Sequence, residues 1–202
     1  ELPPIPTPVI PTVADGNVPM PTPVPPTATP EPSAFPTVTP SPTPSPTVDA
    51  DAAPEARGTA VGDLAPDFSL TTLDGETVSW ESLLGRPVVL SFWVTWCGHC
   101  RTQTPHLIEA YERVAEADGV QFIGVSVNET RDAVAPYVDQ QAIPYPIALD
   151  SDGAVGARYG IRGFPTTYFL DAEGHVVATH VGGLKAADID RYLAQLLTRT
   201  EE

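Results

Sequence analysis

Eighteen of the 25 prolines in this 202-residue chain fall within residues 1–57, and only seven are spread over residues 58–202. Proline fixes φ, removes a backbone donor and pushes the residue before it toward extended conformations. A segment this dense in proline builds neither a helix nor a central strand. Residues 1–57 otherwise alternate among Thr, Ser, Val and Ala and hold a single aromatic residue, Phe35, so they bury too little apolar surface to offset the entropy of ordering. The expectation is a disordered Pro/Thr-rich stalk over 1–57 and one folded domain over 58–202. The stalk tends to polyproline II in stretches such as Pro36 to Pro44 and spans on the order of 150 Å at full extension. Stalks of this composition hold extracytoplasmic domains away from a membrane or wall. The competing reading is an SH3 or WW ligand, although the PxxP matches are incidental to the repeat.

The domain holds both cysteines, all three tryptophans and all six tyrosines, enough for a proper core. Its 20 acidic and nine basic groups give it −11 of the formal net charge of −16, and its one lysine is Lys185. A nucleic-acid protein needs a basic face to displace counterions, so nucleic acid is excluded as a partner, and an anionic membrane surface would repel the domain. No run of 18 apolar residues exists to span a membrane. The chain opens at Glu1 without a methionine, and a signal or membrane tether upstream of residue 1, cleaved or left out, is expected.

Strand and helix patterns alternate through the domain. Phe68–Thr71 and Thr77–Trp80 flank Asp74-Gly75 and predict a β-hairpin. The apolar, β-branched run 88–95 predicts a strand buried on both faces, followed by a helix over 98–117. Further strands are expected at 120–127, 146–149, 166–170 and 175–181. Helical segments are expected at 130–141, 154–159 and 185–198, the last with Ile189, Leu193, Leu196 and Leu197 inward. This order predicts an α/β sandwich with a mixed sheet.

The chemistry lies between the first buried strand and its helix, at Thr95-Trp96-Cys97-Gly98-His99-Cys100-Arg101. Two cysteines separated by two residues can close a small disulfide ring. At a helix N-terminus the free N–H groups and the dipole stabilise a thiolate. Cys97 is expected to face solvent and attack, and Cys100, one turn further in, to resolve the mixed disulfide. A structural zinc site would need a second ligand pair, and His99, His106, His175 and His180 lack finger spacing. A purely structural disulfide over so short a ring would constrain little of the unfolded chain. A second motif, Gly163-Phe164-Pro165-Thr166-Thr167, sets a proline at the mouth of an apolar strand, where it would lose a ladder hydrogen bond. A cis Phe164–Pro165 bond would resolve this. It would also turn the backbone of Phe164 toward the cysteines, where an extended substrate can pair with it.

The WCxxC motif with the later G-x-P-T-T-Y-F segment resembles the thioredoxin superfamily. The opening Val61-Gly62-Asp63-Leu64-Ala65-Pro66-Asp67-Phe68 and the extra segment 129–149 resemble its TlpA/ResA-like extracytoplasmic branch. The resemblance implies a thioredoxin-like three-layer sandwich with an N-terminal hairpin and a central insertion, and thiol–disulfide exchange on the envelope side of the membrane. By the same resemblance Cys97 is the nucleophile, Cys100 the resolving thiol, Pro165 the cis-proline and Trp96 the indole beside the nucleophile. Three positions depart from the family pattern. Ser91 stands where thioredoxin has a buried acid, Gln103 where ResA-like reductases often have a glutamate, and Gly98-His99 is the dipeptide of protein disulfide isomerases. Without the buried acid, Cys100 relies on water or on Glu129 as proton acceptor. His99 would favour the Cys97 thiolate and so move the couple toward oxidising.

The leading reading is an oxidoreductase of exported proteins. It would act either as a reductase preparing apocytochrome cysteines for haem or as an oxidase/isomerase of secreted disulfides, with protein thiols as substrates and a membrane redox partner supplying or accepting electrons. A copper chaperone using Cys97, Cys100 and His175 or His180 is the alternative from another class. A peroxiredoxin-like peroxidase is a third, although the Thr-x-x-Cys pattern is missing and Trp96 precedes Cys97. Trp80 and Trp93 are read as core residues, Arg101 as solvent-facing, and Asp150-Ser151-Asp152-Gly153 as a turn in preference to a calcium loop. No glycine-rich phosphate loop is present, so no nucleotide, flavin or other cofactor is expected.

Overall fold

Strand β3 (Val88–Trp93) is the centre of the molecule, and all six of its residues are buried. The architecture is that of a computed structural model, which describes residues 57–199. Around β3 the chain forms, in order, β1 (Ser69–Thr72), β2 (Thr77–Ser79), α1 (Trp80–Leu83), β3, α2 (Gly98–Val114), β4 (Gln121–Val127), α3 (Arg131–Gln141), β5 (Ile147–Asp150), α4 (Ala154–Arg158), β6 (Thr166–Leu170), β7 (Val176–Val181) and α5 (Ala186–Arg199). One mixed sheet runs β2-β1-β5-β4-β3-β6-β7. The β3, β4 and β5 strands are parallel, while β1, β2, β6 and β7 pair antiparallel. One face is covered by α2, α3 and α5, and the other by α1 and α4. The three-layer α/β sandwich expected from the alternation is the fold observed.

The N-terminal hairpin turns at Gly75, whose φ of +86° suits a residue without Cβ. It joins the main sheet through β5, the strand carried by the central insertion. Most element ends lie one to three residues from the sequence reading, and two of these shifts have a local cause. Trp80 opens α1 where a strand end is expected, because the Ser82 side chain accepts the Ser79 N–H at 3.0 Å and donates to the Ser79 carbonyl at 2.6 Å, closing a helical turn. Helix α2 stops at Val114, three residues early, where the chain turns toward Gly119 at φ +66°.

The expected stalk lies outside the described residues except for Arg57, which bridges Leu64, donates to the Ala65 carbonyl at 2.9 Å and lies over the Trp80 ring. Trp80 and Trp93 are buried core residues, and 150–153 is a turn whose Asp150 carboxylate accepts the Val155 and Gly156 N–H groups at 3.1 and 2.7 Å. Among the described residues no helix is long and apolar enough to cross a membrane.

Candidate active site

The chain leaves the buried end of β3, runs through Val94-Thr95-Trp96 and enters α2 with Cys97 as its N-cap at φ −80°, ψ 116°. Cys97 and Cys100 form a disulfide with their Cα atoms 5.2 Å apart. The Cys97 sulfur accepts the Cys100 N–H at 3.1 Å, one of the donors that a helix N-terminus leaves without an intrahelical acceptor. A sulfur so placed sits at the positive end of a 17-residue helix. Cys97 is 8% exposed and Cys100 3%, so the first sulfur is the more accessible but is itself largely covered, against the expectation that it faces solvent. The Phe164 carbonyl oxygen lies 3.4 Å from it.

That carbonyl is brought in by the second motif. The Phe164–Pro165 bond is cis, as the sequence predicts. The Pro165 carbonyl is already taken, by the Gly182 N–H at 2.8 Å, and the Thr166 hydroxyl donates to Gly163 at 2.8 Å. Trp96, 72% exposed, stands edge-on to Phe164 with ring centroids 6.4 Å apart. These two rings give the Cys97 sulfur an apolar rim. Gly98 is exposed, and a Cβ there would meet nothing within 4 Å. His99 is exposed beside the Gly182-Gly183 turn, and among the described residues its ring has no hydrogen-bond partner.

Beneath Cys100 the two departures at Ser91 and Gln103 turn out to be one arrangement. Gln103 is 2% exposed. Its Oε1 accepts the Leu184 N–H at 2.9 Å, which leaves Nε2 to donate to the Ser91 and Thr167 hydroxyls, each at 3.3 Å. A cavity of about 10 Å³ opens beside Ser91, Cys100, Gln103 and Pro165, room for about one water. Tyr145 also lines it, and burial, with Tyr137 adding to it, holds that phenol protonated well above its usual range. The polar groups beneath Cys100 are therefore all uncharged.

Glu129, considered above as a proton acceptor for Cys100, is engaged elsewhere: its carboxylate accepts the Thr95 N–H at 2.9 Å, the Thr95 hydroxyl at 2.6 Å and the Ser126 hydroxyl at 2.9 Å. Arg101 is exposed but does not simply point to solvent. Its Nε donates to the Thr95 carbonyl at 2.8 Å and its guanidinium lies over Tyr137. No local sequence signal marks this grip, because Glu129 and Thr95 are 34 positions apart. The histidines proposed as copper ligands stay apart from the cysteines. His175 is 3.5 Å from Asp171 and His180 is 3.3 Å from the Tyr192 hydroxyl. Among the described residues no three His, Cys, Asp or Glu side chains gather as a metal site.

The sequence matches the AhpC/TSA family over residues 61–179. It is 32% identical over 136 residues to the thiol-disulfide oxidoreductase ResA of Bacillus anthracis, covering 67% of this chain and 78% of that protein. Among solved structures it resembles a thiol:disulfide interchange protein of the thioredoxin family from Chlorobium tepidum, with a TM-score of 0.61 and 35% identity over 70% of this chain and 98% of that one. It also resembles the exposed lipoprotein thioredoxin Etrx1 of Streptococcus pneumoniae, with a TM-score of 0.58 and 27% identity over 65% and 100%. With a disulfide-forming cysteine pair at the N-terminus of α2 in a thioredoxin-like sandwich, the chain belongs to the AhpC/TSA family as a thiol-disulfide oxidoreductase of the ResA type.

Proposed function

We propose that this oxidoreductase acts on exported proteins, with Cys97 as the attacking sulfur and Cys100 as the resolving one. The observation that carries the reading is the Cys97 sulfur at the N-cap of α2, accepting the Cys100 N–H and closed in a disulfide with Cys100. In the reducing direction the Cys97 thiolate attacks a substrate disulfide, forming a mixed disulfide and releasing one substrate thiolate, which takes up a proton. Cys100, deprotonated, then attacks the Cys97 sulfur. The second substrate thiolate leaves, two electrons have passed to the substrate, and the Cys97–Cys100 disulfide remains. A membrane redox partner restores the dithiol.

Trp96 and Phe164 would receive apolar side chains flanking the substrate cysteine, while the Phe164 backbone would pair with the extended substrate and Pro165 and Thr166 would line its path, the Pro165 carbonyl being held by Gly182. The resemblance to ResA-like reductases favours apocytochrome c as substrate. The exposed-lipoprotein character of the Streptococcus pneumoniae relative supports an extracytoplasmic domain, tethered by way of the Pro/Thr-rich segment. His99 between the cysteines favours a second reading, oxidation or isomerisation of secreted disulfides.

Equilibration of the Cys97–Cys100 couple against glutathione buffers separates the two. A potential near that of thioredoxin, about −270 mV, supports the reductase, and one near about −150 mV the oxidant. A Cys100→Ser variant should accumulate mixed disulfides through Cys97. Preferential alkylation of Cys100 by iodoacetamide in the reduced parent would overturn the assignment of roles.

A further inference from the structure

Between β3 and α2 the chain runs through four residues without regular structure, and the second of them, Thr95, has every polar group engaged. Its N–H and hydroxyl donate to the two oxygens of Glu129, at 2.9 and 2.6 Å, and its carbonyl accepts from Arg101 Nε at 2.8 Å. Glu129 reaches Thr95 from the turn that follows β4. Asn128 makes that turn at φ +56°, a left-handed conformation that asparagine tolerates better than most residues. The Asn128 N–H donates to the Asp150 carbonyl at 2.8 Å, which ties the turn to β5. Ser126, fully buried, supplies the third donor to the carboxylate at 2.9 Å. On the other side, Arg101 belongs to the first turn of α2 and stacks over Tyr137, which packs on Trp93 at the end of β3.

We infer that Glu129 is a positioning residue for the exchange reaction: through Thr95 it holds the segment that delivers Trp96 and Cys97 to the N-terminus of α2. The inference rests on the reading of Cys97 as the attacking sulfur. Bonds from N–H or hydroxyl donors to a carboxylate are stronger than neutral ones, and each carboxylate oxygen accepts from this one threonine, Oε2 taking the Ser126 hydroxyl as well. The grip matters most in the dithiol protein. While the disulfide is closed, Cys97 is tied covalently to the helix. Once it opens, the Cys97 sulfur stays at the N-cap, within reach of the Cys100 N–H, only as far as the backbone before it is held. Misplacement of a reacting group on the scale of 1 Å costs up to about a hundredfold in rate.

The geometry also separates position from charge. The Thr95 N–H and the Ser126 hydroxyl converge on Oε2, while the Thr95 hydroxyl meets Oε1. A glutamine amide placed with its oxygen at Oε2 keeps the first two bonds. Its NH2 then donates to the Thr95 hydroxyl, reversing the third bond once it lengthens by a few tenths of an ångström from 2.6 Å.

The test is the second-order rate at which the reduced, folded protein attacks 5,5′-dithiobis(2-nitrobenzoate), with the rate of Cys97 alkylation by iodoacetamide and the melting temperature measured alongside. Glu129→Ala should slow both reactions about tenfold or more, and Glu129→Gln should stay within about twofold of the parent. Thr95→Val keeps the N–H bond and loses the hydroxyl bond, and should fall between them. Glu129→Ala at the parental rate overturns the inference. So does a Glu129→Gln variant that melts cooperatively yet is as slow as Glu129→Ala, since charge and not geometry would then be at work. If Glu129→Ala does not fold, Thr95→Val decides, and its parental rate overturns the inference. A parent protein that fails to react through Cys97 would instead sink the proposed function.

Discussion

On the face of the sheet covered by α1 and α4, the central strands present Leu90, Phe92, Ile123, Val125, Tyr168 and Leu170; on the face under α2, α3 and α5 the alternate positions include Ser91, Gly124, Ser126 and Thr167. The first face packs as an aromatic cluster. Phe92 lies 4.9 Å from the Tyr159 ring and 6.0 Å from Tyr168, and the two phenols donate to backbone carbonyls of Pro66 and Tyr159 at 2.7 and 2.8 Å. The second face carries the cysteines, the Gln103 arrangement with its cavity, and the Glu129 grip on Thr95. Gly124 is small there because a Cβ would stand 2.6 Å from Ile147 Cδ1 and 3.0 Å from Trp93 Nε1. The contrast teaches a division of labour. Both faces are packed with apolar side chains, the second through Val89, Trp93, Phe122 and Phe169, and the second also sets the hydrogen-bonded Ser91, Gln103 and Thr167 beneath the cysteine-bearing helix.

The largest effect expected from this contrast is on the apolar face. Phe92→Ala removes a fully buried ring and should cost about 3–5 kcal/mol in urea unfolding, while the potential of the cysteine couple, set on the opposite face, stays at the parental value. A matching shift in potential would break the division between the faces.

Alkaline pH probes both faces together. Burial raises the Tyr145 and Tyr159 phenols far above the usual tyrosine value of 10.0, with Tyr137 and Tyr168 respectively adding to the effect. Below that value the folded and unfolded chains both keep these protons, so neither residue makes stability depend on pH. Above it the unfolded chain releases them and the folded chain does not. Stability should therefore fall as pH rises, by about 1.4 kcal/mol per pH unit for each tyrosine. Urea midpoints between about pH 9 and 11 test this; burial raises the Tyr168 phenol as well, so Tyr145→Phe should remove only its own share of the slope. An unchanged midpoint over that range would show that the phenols titrate in the folded state.

A smaller loss is expected at Gln103. Gln103→Leu leaves the Leu184 N–H without its acceptor and strips the donor from the Ser91 and Thr167 hydroxyls, at about 1–3 kcal/mol. Unlike Phe92→Ala, it should also change the rate at which Cys100 resolves a mixed disulfide, because the replaced side chain shares a cavity with that cysteine. Full stability in this variant would sharpen the contrast by making the hydroxyl pair self-sufficient.

The smallest effect is expected at the rim. If the His99 ring favours the Cys97 thiolate, His99→Pro should make the potential more negative by tens of millivolts, at about 30 mV for each pKa unit lost. A variant that matches the parent in potential and in Cys97 alkylation would leave the Gly-His dipeptide without influence on the direction of electron flow.

Local patterns carried most of the architecture. Strand β6 falls on the expected 166–170, and the other strands and longer helices lie within three residues of their expected bounds. The alternation of apolar runs with amphipathic segments is a property of consecutive residues. The same holds for the cysteine pair, whose spacing and place before a helix are visible in seven letters. Short-range hydrogen bonding moved the ends: the Ser79–Ser82 exchange converts Trp80 from strand to helix.

What only the tertiary structure decided was which distant residues share a site. A run buried on both faces, such as 88–95, does not say which face is apolar and which is polar. Ser91 therefore reads as a missing acid until Gln103 and Thr167 are seen around it. Glu129 reads as a candidate base until Thr95 and Ser126 take its oxygens. The physical reason is that secondary structure follows from torsional preference and periodicity along the chain. The partner of a buried polar group is instead chosen by which strands and helices pack together, and by the cost of leaving that group unpaired.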